Sequence, residues 1–274
     1  MQVGVVSRTF GGWKAEDAAV YMAENGFSST ELCLTHAEAN FWNYNGWNDL
    51  FALDDKTAAD LVGAFRKNGI YVASLGVFTN LMEPDTELLE KNIGLFLRYI
   101  DIAAQNGVPA VATECGFVPG RRGVNTDTYE KDFSYFLENL GRVLEAAERR
   151  GVDIALETCV LDVVPSAKRT CDLIAQAGSK RLKILLDPAN LIANSDEEDM
   201  FKYLTPYISY FHGKDRKVND TYGRRVGEGD INWPLFLRLY HEYAEGKPFI
   251  LEYVTPENCG DVKNRVLEFD KLAV

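Results

Sequence analysis

Apolar residues along the chain gather into eight short runs, each rich in β-branched or aromatic residues. The runs are "VGVV" from position 3, "SSTELCL" from 28, "YVASLGV" from 71, "AVATE" from 110, "VDIALE" from 152, "LKILLD" from 182, "YISYFH" from 207 and "PFILEY" from 248. Near-continuous apolarity, rather than alternation, is the pattern of strands covered on both faces, as in a parallel sheet. Between the runs lie longer amphipathic segments such as "DTELLEKNIGLFLRYIDIAAQNG" and "TYEKDFSYFLENLGRVLEAAERRG". Pro84 and Asp85 mark the start of the first, and Gly107 and Gly151 close the two, which are ordinary helix start and stop signals. Eight strands and about eight helices over 274 residues leave about 34 residues per βα unit. The pattern predicts an α/β fold, an eight-fold βα (TIM) barrel forming one domain over residues 1–274. The rival is an open doubly wound sheet, which places a glycine-rich phosphate turn after its first strand. Here "VSRTFGGWK" has a glycine pair without that spacing.

Charge narrows the partners. The net charge is -12 and positive residues come only in short runs such as Lys214 to Lys217, so no broad basic face is available for nucleic acid. Five scattered cysteines without a C-x-x-C pair read as reduced thiols. No stretch reaches the roughly 18 apolar residues of a membrane span. The expectation is a soluble cytoplasmic protein with no nucleic-acid or membrane partner.

In a parallel barrel the chemistry sits where the strands end. The last four runs carry Glu157, Asp187, His212 and Glu252 at or next to their ends, separated by 30, 25 and 40 residues, each close to one βα repeat. Each alone has an ordinary reading as a helix cap, an ion-pair partner or a hydrogen-bonded histidine. Three carboxylates and an imidazole brought together without a built-in counter-cation would repel, and a divalent metal would relieve that repulsion. Mostly oxygen donors, one imidazole and no thiolate suit Mn²⁺ first, with Mg²⁺, Co²⁺ or Zn²⁺ as alternatives. A metal across a carbonyl and its neighbouring hydroxyl would act as a Lewis acid, making the intervening C–H proton removable through an enediolate.

At "ALE" with Glu157, "LLDPANL" with Asp187, "FHGKD" with His212, "VGEGDINW" at 226 to 233 and "ILEY" with Glu252, the sequence resembles the xylose isomerase-like barrel superfamily, in its sugar phosphate isomerase/epimerase branch that includes ketose 3-epimerases. The resemblance implies that Glu157, Asp187, His212 and Glu252 bind one divalent cation, with Glu157 and Glu252 as the acid and base. It implies a small carbohydrate, a keto sugar or polyol, as substrate. Two positions depart from the ketose 3-epimerase pattern: Asn190 stands where a substrate-binding histidine is usual, and Val163 where a second acid is usual. The leading expectation is a metal-dependent isomerase or epimerase, and those departures give weight to a second outcome of the same first step, a lyase that eliminates a β-substituent from a keto-inositol or 3-keto-glycoside. An abasic-site endonuclease on this barrel would need more histidines than His36, His212 and His241. A non-catalytic sugar-binding barrel is the remaining alternative.

Asn190 is expected to touch substrate in place of that histidine, and further contacts are expected from His36 after the second strand and Glu114 after the fourth, with capping or hydrogen bonding as the competing roles of these two. Lys214 and Arg216 follow His212 directly, so "KDRK" lies either on the active-site face or in a solvated loop. Trp42, with Phe41, Tyr44 and Trp47, occupies the loop after strand two. Rings there either stack on sugar faces or form a subunit contact in a homo-oligomer.

Overall fold

A computed structural model describes residues 1–273. All eight apolar runs form strands: β1 (Val3–Val5), β2 (Ser29–Leu32), β3 (Tyr71–Gly76), β4 (Ala110–Glu114), β5 (Asp153–Glu157), β6 (Leu182–Leu186), β7 (Ile208–Gly213) and β8 (Phe249–Leu251). Every ladder is parallel, and the order around the sheet is β1-β8-β7-β6-β5-β4-β3-β2. The two end strands meet: Ser28 N donates to Val3 O at 3.0 Å and Thr30 Oγ1 to Val5 O at 2.8 Å. The barrel is therefore nearly closed, and the open doubly wound sheet is set aside.

One long helix follows each strand: α1 (Ala15–Glu24), α2 (Asp55–Lys67), α3 (Thr86–Gln105), α4 (Tyr129–Arg150), α5 (Ala167–Ala177), α6 (Glu197–Leu204), α7 (Trp233–Tyr243) and α8 (Cys259–Leu272). Their boundaries follow local chemistry. Asp85 caps α3 by accepting from Leu88 N at 3.0 Å, and α4 stops at Gly151, whose φ of +72° is left-handed. Apolar faces of the helices pack on the outside of the barrel as one continuous core.

Inside the barrel lies a second apolar layer: Val6, Ala73, Ala110, Ala112, Ala155, Leu185, Tyr210 and Ile250. Side chains two residues apart on a strand point the same way. Two positions beyond Ala112, Ala155, Leu185, Tyr210 and Ile250 come Glu114, Glu157, Asp187, His212 and Glu252. The polar residues therefore form the layer above the apolar plug, at the C-terminal mouth.

Candidate metal centre and active site

Glu157, Asp187, His212 and Glu252 each offer a donor atom, and the four atoms lie within 4.8 Å of one another. All four side chains are buried. His212 Nδ1 faces Glu157 Oε1 at 3.5 Å and Glu252 Oε2 at 3.7 Å, and neither ring nitrogen makes an aligned hydrogen bond. Asp187 Oδ2 and Glu252 Oε2 likewise lack hydrogen-bond partners. Converging lone pairs from three carboxylates and an imidazole, left unsatisfied by hydrogen bonds, fit a divalent cation.

The cluster is not without a positive charge. Lys214 Nζ lies 2.5 Å from Asp187 Oδ2, 2.9 Å from Glu252 Oε2 and 3.7 Å from Glu157 Oε1. This corrects the expectation of carboxylates meeting without a built-in counter-cation: strand periodicity places Lys214 on the same side as His212. It also removes the solvated-loop reading for Lys214, Asp215 and Arg216 of "KDRK", which are buried, while Lys217 is exposed. Burial alone would raise the Glu157 pKa, but Lys214 and His212 outweigh it and hold the carboxyl below its usual range. Burial pushes Asp187 up to about 6 even against Lys214. Burial would lower His212, yet Glu31 and Glu157 bring it up to about 9.

The neighbouring residues hold these groups in place. Asn190 Nδ2 donates to Glu157 Oε1 at 2.7 Å, and its Oδ1 accepts from Arg216 Nη2 at 2.9 Å. Asn190 and Arg216, expected to touch substrate, thus form a chain that orients Glu157. Asp215 accepts from the backbone N–H groups of Gly227 and Ile231 and from Trp233 Nε1 at 2.8 Å. That is why "VGEGDINW" is tied to the end of β7.

Three residues escaped the sequence reading. Glu31 on β2 is fully buried, 3.3 Å from His212 Nε2, and accepts from Tyr210 OH at 2.5 Å. The β2–β3 register slips between Thr30 and Glu31, the kind of irregularity that re-aims a side chain. Arg8, just beyond β1, pairs with Glu252. Asp162 stands one residue before Val163, which is core. Neither carboxylate oxygen of Asp162 is hydrogen-bonded, and Arg122 Nη2 lies 3.4 Å away. Burial and then Glu114 push the Asp162 carboxyl well above its usual range.

A cavity of about 340 Å³ opens at this mouth, walled by Glu252, Lys214, Glu114, Trp42, Tyr44 and further aromatic rings. Glu114 pairs in register with Glu157 and accepts from Tyr44 OH at 2.5 Å; burial raises its pKa, with Glu157 adding to the effect. Trp42 lines the cavity. His36 does not: its Nδ1 lies 3.3 Å from Trp13 O and its ring packs on Phe65 of α2, while burial lowers its pKa.

An eight-fold βα barrel with a metal-capable cluster at its C-terminal mouth is the class that fold and site define. Residues 20–268 match the family model described as the xylose isomerase-like TIM barrel, and the chain belongs to that family. No curated protein matches it. Among solved structures, D-psicose 3-epimerase with D-tagatose from Clostridium cellulolyticum H10 superposes with a TM-score of 0.72 at 16% identity, over 100% of this chain and 99% of that one. The 3-keto-D-glucoside 4-epimerase of E. coli superposes at 0.75 with 12% identity, over 98% and 99%. The IOLI protein with a bound zinc atom superposes at 0.78 with 16% identity, over 100% and 99%. No helix among the described residues is long and apolar enough to cross a membrane.

Proposed function

We propose that the chain is a divalent-metal-dependent sugar isomerase or epimerase that moves a proton at the carbon next to the carbonyl of a keto sugar or polyol. The observation that carries this reading is the convergence of Glu157, Asp187, His212 and Glu252 within 4.8 Å beside a cavity whose wall includes Glu252 and Lys214. These four residues would hold the cation, which supplies Lewis acidity toward the substrate carbonyl. Glu157, kept ionised by Lys214, accepts a proton or returns it, and Glu252, paired with Arg8, takes the complementary role. Lys214 and Arg8 also place fixed positive charge where substrate oxygen would gain negative charge. The epimerase activities of the two neighbours support the same chemistry on the same fold.

The test pairs metal analysis of the purified protein with hydrogen exchange in D₂O over a panel of keto sugars. Deuterium uptake without mass loss is the expected result, and Glu157→Gln and Glu252→Gln each suppress it. Release of water or an aglycone would instead establish the lyase outcome. Metal binding without exchange on any sugar would overturn catalysis and leave a sugar-binding barrel.

A further inference from the structure

A second cavity, also about 340 Å³, adjoins the first outside the carboxylate cluster. Thr9, Gly11 and Thr35 line it, and it shares Arg8, Trp42 and Tyr253 with the inner one. The three shared residues form a common wall between two compartments. Each compartment is at the lower end of the roughly 300–1,000 Å³ span of ligand pockets, so together they suit a ligand of two units.

The wall has the chemistry of a carbohydrate site. The Arg8 guanidinium lies 5.6 Å over the Trp42 ring while its Nη2 pairs with Glu252, so one side chain reaches both compartments. Tyr253 is half-exposed, with Lys214 Nζ 5.2 Å over its ring. Its backbone is left-handed, with φ of +57°, and its ring packs so closely on Gly223 that a Cβ there would collide with it. A non-glycine residue in that conformation is a fixed, strained feature of the kind that gathers at ligand clamps. Aromatic faces beside polar groups are what a sugar ring stacks on.

We propose that the outer compartment binds the second unit of a glycoside: the reacting ring lies against Glu252 and Lys214, and a glycosidically linked sugar ring lies between Trp42 and Tyr253. This rests on the reading of the inner cavity as a carbohydrate site. It assigns the substrate class as a two-ring glycoside rather than a free monosaccharide.

The test measures binding of isomaltulose, turanose, maltulose and leucrose, glucosyl-fructoses that keep a ketose unit, and of glucose and fructose, to the Mn²⁺-supplemented protein by calorimetry. At least one disaccharide binds about tenfold or more tightly than either of its component monosaccharides. Thr35→Phe and Gly11→Phe, two independent ways to fill the outer compartment, each bring that ratio to about one. Circular dichroism and melting temperature confirm that the variants fold. Equal affinities for every disaccharide and its components, or an unchanged ratio in both folded variants, would overturn the proposal. Hydrogen exchange on D-fructose in the same samples separates the two readings. Exchange without a disaccharide preference removes only the outer subsite; preference without exchange on any sugar removes only the catalytic role.

Discussion

Lys214 Nζ and Asp187 Oδ2 lie 2.5 Å apart, and the same ammonium is 2.9 Å from Glu252 Oε2. A lysine ion-paired with two of the four metal-capable residues competes with any cation for their oxygens. Lys214→Met keeps the length of the side chain and removes the charge. The variant is expected to bind Mn²⁺ at least about tenfold more tightly, a coupling of about 1.4 kcal/mol, by isothermal titration. In EDTA it should melt earlier than the wild type, because three buried carboxylates lose their cation. Weaker Mn²⁺ binding would show that Lys214 supports the metal rather than opposing it.

Glu31 faces the edge of His212 away from the carboxylates. A carboxylate in that place fixes the ring's orientation and tautomer, and loss of such a partner typically weakens metal binding by about 10–100-fold. Glu31→Gln is expected to show a loss of that size in Mn²⁺ titration while all four donor residues remain. Unchanged affinity would mean that packing against Tyr210 alone orients the ring.

The strands were legible in the sequence because both faces of each are covered, so apolarity runs on without alternation. The four donors were legible because they stand at strand ends one βα repeat apart. Lys214 was legible in principle, since period two from His212 puts it in the same layer, but its surrounding charges resembled a solvated loop. Glu31 lies inside "SSTELCL" rather than at its end, and only the register slip at Thr30 and Glu31 reveals its direction. Asp162 was hidden because the family spacing falls one residue later, on Val163. His36 follows its strand as a ligand would, yet the hairpin of Thr35–His36 with Ala39–Asn40 carries it to Phe65.

Asp162 gives a pH signature. Its folded-state pKa is raised, whereas an unfolded aspartate titrates near about 3.9. Above that value the folded chain keeps a proton that the unfolded chain releases, so this group's contribution falls as pH rises. Asp162→Asn cannot ionise. The melting temperature of the variant minus that of the wild type is expected to grow as pH rises above about 4. A difference that shrinks with pH would mean that Arg122 keeps Asp162 ionised.

Asp215 is a structural tie. Replacing it with alanine strands the N–H groups of Gly227 and Ile231 and the Trp233 indole, all served by its two oxygens. About 3 kcal/mol of stability should be lost in urea unfolding, the scale of a broken buried network. Asp215→Asn keeps one acceptor and should lose less. Equal losses in the two variants would assign the effect to packing rather than to hydrogen bonding.

The left-handed backbone at Tyr253 carries a half-exposed ring. Glycine there would relieve about 1–2 kcal/mol of backbone strain while deleting a ring from the wall. Stability and recognition therefore pull this position in opposite directions. A search for heat-resistant variants of this chain should be drawn to it early, and the molecules it returns would hold their shape longer while gripping the proposed glycoside less well.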